Sequence, residues 1–186
     1  MVLDNDHKTI EASTKEDFYI ELAEKTDALL SGKNLITNLS LLSALVYHEL
    51  LNTPHRKGSP VNWAGFYYLP KSSLLDSSIS PNEYVLELGP FQGKVACTLI
   101  KFGRGVCGSV AVSKKPIIVP NVNLFEGHIA CDSTSLSELV IPIVIGDQLV
   151  GVFDLDCSVA NGFDNTDLVG IERLVSILVK NSDWFL

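Results

Sequence analysis

The stretch Glu138–Asp156, ELVIPIVIGDQLVGVFDLD, decides how this sequence folds. Two apolar runs, Glu138 to Ile145 and Gln148 to Asp156, flank Gly146 and Asp147, a pair suited to a tight hairpin turn, so the segment predicts two antiparallel strands. Asp154 and Asp156 close the second strand with Val152 and Phe153 before them and Leu155 between. Successive strand residues point to opposite faces, so both carboxylates leave on the same one. Like charges placed together repel. The pair is tolerable when solvated, or when it faces a cationic ligand whose ammonium group satisfies both. A solvated strand end is the plain alternative, and Glu138, where a long loop enters the first strand, is open to the same two readings.

Outward from the hairpin, Asp164 to Asn181 has Leu168, Ile171, Leu174, Val175 and Leu178 at helical spacing on one face. Near the other end, Phe18, Leu22, Leu29 and Leu30, then Leu35, Leu39, Leu42, Leu45 and Val46, recur every three to four residues on either side of Gly32. This predicts a helical pair, with Thr14 and Asp17 at the first N-terminus and Asn34 or Thr37 at the second. Asn52 to Pro60 reads as a linker into a strand, Val61 to Leu69, and the serine-rich Pro70 to Asn82 as a solvated loop. Tyr84 to Leu88, Lys94 to Phe102 and Pro116 to Val119 complete the strands. Gly103 to Gly108 is a tight turn opening a short helix, Ser109 to Ser113. Asn121 to Ser137 is long for an irregular connection, as functional loops often are. The expected fold is an α+β sandwich: residues 1–13 a tail, 14–186 one domain. Its antiparallel sheet of five or six strands carries the N- and C-terminal helices on one face and a ligand pocket under loops on the other.

The 186 residues are 46% hydrophobic, enough for one sizeable core. Fourteen Lys and Arg against 22 Asp and Glu give a net charge of −8, which repels a phosphate backbone and argues against nucleic acid as a partner. No secretory pattern precedes Lys25, and the longest apolar runs, such as Leu139 to Ile145, fall far short of the roughly 20 residues that span a bilayer. A cytoplasmic location off the membrane is expected. The four cysteines, Cys97, Cys107, Cys131 and Cys157, are then expected as thiols, with transient redox chemistry open to them.

Cys131 stands in Gly127-His128-Ile129-Ala130-Cys131-Asp132-Ser133, whose small side chains would leave a thiol reachable from a pocket. Reactivity requires thiolate, so a positive or donor-rich setting is needed, and His128, Lys94 and Arg104 could supply it. A small buried hydrophobe is the bland alternative for Cys131, as it is for Cys97 in its predicted strand and Cys107 in its glycine turn. Cys157, at a strand end, reads as structural. There is no Cys-x-x-Cys or His-x-x-x-His pair, so neither metal nor cofactor is expected. His48 and His55, on a helix and in a linker, carry no signal. Trp63 and Tyr67, four residues apart on one strand, share a face and could wall a groove over Gly65. Most such pairs are simply core.

Three blocks together become specific: Asn62-Trp63-Ala64-Gly65-Phe66-Tyr67, then Leu88-Gly89-Pro90-Phe91-Gln92-Gly93-Lys94-Val95-Ala96-Cys97, then Gly127-His128-Ile129-Ala130-Cys131-Asp132. The sequence resembles the free methionine-(R)-sulfoxide reductase family, which is built on a GAF domain. The likeness runs over about residues 34 to 180, with Gly105-Val106-Cys107-Gly108 and Asp154-Leu155-Asp156 in the expected order.

That resemblance implies a thiol oxidoreductase acting on free L-methionine-(R)-S-oxide. Cys131 attacks the sulfoxide sulfur and becomes a sulfenic acid, Cys97 condenses with it, Cys107 is a second resolving thiol, and thioredoxin restores the dithiol. Glu138, Asp154 and Asp156 match positions that hold the substrate, and Trp63 and Tyr67 those that enclose its methyl end. An enclosed pocket would exclude protein-bound methionine sulfoxide. The serine-rich loop and Cys157 depart from the family core, and Cys157 adds an available disulfide partner. A homodimer through the terminal helices is a further expectation. The rival reading is a GAF module that binds a small molecule or senses redox state without turnover, since fold alone does not separate the two.

Overall fold

In the computed structural model, residues 9–32, 34–75, 80, 83–128 and 132–184 are described. The hairpin around Gly146 and Asp147 is the scaffold: β5 (Ser137–Ile145) and β6 (Gln148–Cys157) pair antiparallel, with Gly146 at positive φ in the turn. β6 also pairs antiparallel with β1 (Val61–Tyr68), which brings the two halves of the chain together at the centre of the sheet. With β2 (Val85–Gly93), β3 (Leu99–Lys101) and β4 (Ile117–Val119), the described residues form one six-stranded sheet in the order β3-β2-β1-β6-β5-β4. Every pairing is antiparallel.

Helices α1 (Lys15–Leu29), α2 (Leu35–Asn52) and α5 (Asn165–Asn181) share one apolar core with one face of the sheet. The predicted caps of α1 and α2 are in place, with Thr14 accepting from the amide of Asp17 and Asn34 from that of Thr37, and at α5 the structure adds a capping box between Asp164 and Asp167. Alternation then sorts the central strands. Ala64, Phe66, Leu139, Ile141, Phe153 and Leu155 enter the helix-side core, and Trp63, Tyr67, Val140 and Val152 enter a second cluster on the opposite face. That second face is covered by α4 (Gly105–Ser113) and by irregular segments. No helix among the described residues is long and apolar enough to cross a membrane.

Three boundaries differ from the sequence reading. Strand β2 runs on to Gly93 because a register shift between Gly65 and Tyr67 on β1 absorbs the irregularity at Pro90, which lacks an amide to donate. The predicted strand over Lys94 to Phe102 shrinks to β3. Gly93, at φ 122°, turns the chain away, and the Lys94 carbonyl accepts a 3.1 Å hydrogen bond from Trp63 Nε1 instead of a ladder bond. Helix α4 begins at Gly105, so Cys107 sits in its first turn and not in the preceding loop. Part of the serine-rich segment forms a short helix, α3 (Lys71–Leu75); residues 76–79, 81 and 82 lie outside the described residues.

Candidate active site

The sheet register builds the floor of a cavity from three strands. Glu138 on β5 lies directly opposite Asp156 on β6, and Asp156 lies opposite Trp63 on β1, so an acid, an acid and an indole form one row. The next row toward the hairpin turn places Val140, Asp154 and Gly65 side by side. Residues on one face two apart, or directly opposite, are near neighbours, which is why three carboxylates converge there without any being adjacent in sequence. Helix α4 closes the cavity with Gly105, Val106 and Cys107, and His128, Asp132 and Ser135 line it from the long loop.

The expected aromatic wall is present, but the groove over Gly65 is filled. A Cβ at Gly65 would collide with the Trp63 ring and with Phe91, so the glycine is what lets the indole lie across the strand. Trp63 stacks on Tyr67 at 5.8 Å between centroids and on Phe91 at 5.4 Å. The result is a rigid apolar wall beside the acids.

Glu138 and Asp154 are buried, and Asp156 nearly so; no Lys or Arg among the described residues forms an ion pair with any of them. Burial pushes all three carboxyls well above the ordinary carboxylate range. Repulsion adds to it: Asp156 acts on Glu138, Glu138 on Asp154, and Asp154 on Asp156. A hydrogen bond from Ser135 partly counters the shift at Asp156. His128 Nε2 stands 3.6 Å from Glu138 Oε2, yet burial lowers the imidazole pKa, so the neutral forms of both partners are favoured. Cys107 Sγ is 4.0 Å from Glu138 Oε1, and burial together with the surrounding carboxyls pushes its thiol pKa up. Burial and the same acids raise that of the Tyr67 phenol. Asp154 Oδ1 has no hydrogen-bond partner among the described residues.

Cys131, with residues 129 and 130, lies outside the described residues, but its flanking residues His128 and Asp132 both line the cavity. Cys97 is disulfide-bonded, half-buried in the irregular segment between β2 and β3, next to the cavity-lining Ala96. Cys107 and Cys157 are free thiols. Cys157 is buried in the helix-side core, which removes it from the cavity. Of the three cationic candidates, Arg104 and His128 line the cavity, and Lys94 pairs with Asp132 at 3.2 Å.

Sequence reasoning missed the tie that joins these segments. Asn62 Nδ2 donates to Ser135 Oγ at 2.9 Å, and Asp132 accepts the amide of Thr134 at 2.9 Å as well as Lys94. The long loop is thereby pinned to the start of β1. Asn62 heads the first of the three specific blocks, but nothing in a single sequence pairs it with residues more than 70 positions away.

Comparison with known proteins places this geometry. Residues 42–179 match the GAF domain family. The chain is 41% identical over 169 residues to a free methionine-R-sulfoxide reductase of Saccharomyces cerevisiae, covering 90% of this chain and 87% of that protein. It is 38% identical to the enzyme of the same name from Escherichia coli, over 89% of each chain. The crystal structure of free methionine-R-sulfoxide reductase from Neisseria meningitidis, in complex with its substrate, superposes with a TM-score of 0.79 at 32% identity, covering 94% of this chain and 95% of that one. The chain belongs to the free methionine-R-sulfoxide reductase family of GAF domains.

Proposed function

We propose that this protein reduces free methionine-R-sulfoxide to methionine, and that the observation carrying this reading is the group of three carboxyls, buried or nearly so, with which no Lys or Arg among the described residues forms an ion pair. A buried charge without a partner is costly, so such a group persists where a ligand supplies the opposite charge. The ammonium of a free amino acid is such a ligand. The Trp63 and Tyr67 wall beside the acids suits the methyl and methylene end of the same molecule. A small cavity of this kind suits a free amino acid better than a residue held within a polypeptide.

Cys131 is the nucleophile in this scheme. Its thiolate attacks the sulfoxide sulfur, the S–O oxygen passes to the enzyme sulfur as a sulfenic acid, and methionine leaves as the thioether. A carboxyl kept protonated by burial and repulsion donates the proton the oxygen requires, and Asp156 is assigned that role. Cys97 then attacks the sulfenic sulfur, water leaves, and a Cys97–Cys131 disulfide results. The disulfide-bonded state of Cys97 supports this pairing. Cys107, buried against the acids, is a second resolving thiol, and the thioredoxin dithiol supplies the two electrons that reopen the disulfide.

Reduced protein incubated with free methionine-R-sulfoxide, without reductant, tests the scheme. One methionine is released per site, and peptide mapping finds a disulfide joining Cys131 to Cys97 or Cys107. A disulfide formed with no methionine released would mark a redox sensor instead, and would overturn the proposal.

A further inference from the structure

We propose that the acidic side of the cavity is also a site for a borderline divalent transition metal of the zinc class, held by Cys107 Sγ and one oxygen each of Glu138 and Asp154, and that the metal and the sulfoxide exclude one another. Ligand atoms of these three residues lie within 4.8 Å of one another, and all three residues are buried. With metal–sulfur bonds of about 2.3 Å and metal–oxygen bonds of about 2.1 Å, neighbouring ligands of a tetrahedral ion stand roughly 3.5 Å apart. Cys107 Sγ and Glu138 Oε1 are already 4.0 Å apart. Small side-chain adjustments bring ligand atoms that already lie within 4.8 Å of one another to that spacing.

A second observation, independent of the clustering, points to a ligand. Asp154 Oδ1 is buried on the cavity wall with no hydrogen-bond partner among the described residues, an arrangement that costs free energy unless something satisfies it. His128 Nε2 lies 3.6 Å from the second oxygen of Glu138, beside the set but outside the group whose ligand atoms all fall within 4.8 Å of one another. A thiolate with two carboxylates suits zinc, cobalt and their neighbours, whereas magnesium and calcium call for oxygen donors alone. The ligands come from α4, β5 and β6, so the absence of closely spaced ligand pairs in the sequence does not count against the site. Cross-strand register supplies the proximity that such spacing supplies elsewhere.

No redox step is involved. The metal displaces the Cys107 proton to solvent and coordinates the thiolate, and two positive charges then occupy the place where the substrate's ammonium would sit. Metal binding stands without the reductase reading; mutual exclusion with the sulfoxide rests on it.

The test uses the full chain with the Cys97 disulfide intact, titrated with Co2+ while the thiolate-to-cobalt absorption in the near ultraviolet is followed. The expected result is a saturable band at one equivalent, displaced by Zn2+ and untouched by a large excess of Mg2+. It is lost in Cys107→Ser, kept in Cys157→Ser, and shifted to at least tenfold higher Co2+ in Asp154→Asn. No band, or a band that survives Cys107→Ser, overturns the site. In the reduced enzyme Zn2+ raises KM for free methionine-R-sulfoxide without lowering kcat; a fall in kcat at constant KM overturns the exclusion. If the metal-free enzyme releases no methionine, the reductase reading fails, while the cobalt spectrum still decides the metal site.

Discussion

Asp167 and Asp154 are both buried aspartates, and the molecule treats them in opposite ways. Asp167, at the start of α5, accepts from Tyr19 Oη at 2.7 Å and Arg56 Nη1 at 3.1 Å and pairs with Lys15 Nζ at 2.7 Å. Arg56 is in turn fixed by the Gly162 carbonyl at 2.6 Å and by the ring of Phe163. Asp154, on the other face of the sheet, has two further acids for company and an oxygen with no partner among the described residues. The same fold thus completes one buried carboxylate with two cations and leaves another to be completed from outside. The first arrangement is a structural joint between α1, α5 and the segment after α2; the second is a binding site held ready at some cost in stability.

Removing a cation from the satisfied site has the largest expected effect on folding. Arg56→Ala strips Asp167 of the more buried of its two cations and is expected to lower unfolding free energy by about 3 kcal/mol, as breaking a buried pair does. Denaturant unfolding measures it, and a loss below about 1 kcal/mol would mean that Lys15 and Tyr19 suffice and the contrast is overstated.

Removing a charge from the unsatisfied site works the other way. Because burial raises the Asp154 pKa, folding is favoured most while the carboxyl is protonated. The penalty sets in as pH rises above the unfolded value of about 3.9 and is complete once pH passes the folded value. Asp154→Asn is therefore expected to gain about 1 kcal/mol near neutral pH, roughly 2–4 °C in Tm, while its turnover falls. Thermal melts of the two proteins should converge near pH 4 and separate toward pH 7; convergence at high pH instead would show that the sign is wrong.

The smallest effect belongs to the exposed pair beside the cavity. Lys94 is 67% exposed, and Lys94→Ala should change stability by well under about 1 kcal/mol. A larger loss would make the pair a structural clamp on the long loop.

The sequence was most legible where alternation or helical spacing ran unbroken. The hairpin, the shared face of Asp154 and Asp156, and the caps at Thr14 and Asn34 all follow from local rules. Legibility failed where a long-range contact overrode them. Gly105 and Gly108 look like turn residues, yet α4 runs through both because Val106, Val110 and Ala111 bury against the sheet, and a Cβ at Gly108 would meet the Lys101 carbonyl. The Trp63 indole ends a predicted strand by taking the Lys94 carbonyl, and it fills the groove that Gly65 seemed to leave open. Convergence of Glu138 with Asp156 depends on strand register, which no local pattern specifies at that distance.

The contrast between the two buried aspartates rests on one claim, that the cavity acids receive the ammonium of a free amino acid. Comparing kcat/KM for free methionine-R-sulfoxide with that for its N-acetyl derivative, which keeps the sulfoxide and loses the positive charge, tests this claim most directly. A loss on the order of a thousandfold or more is expected, because the buried acids are left without their partner. Equal turnover of the two would contradict it.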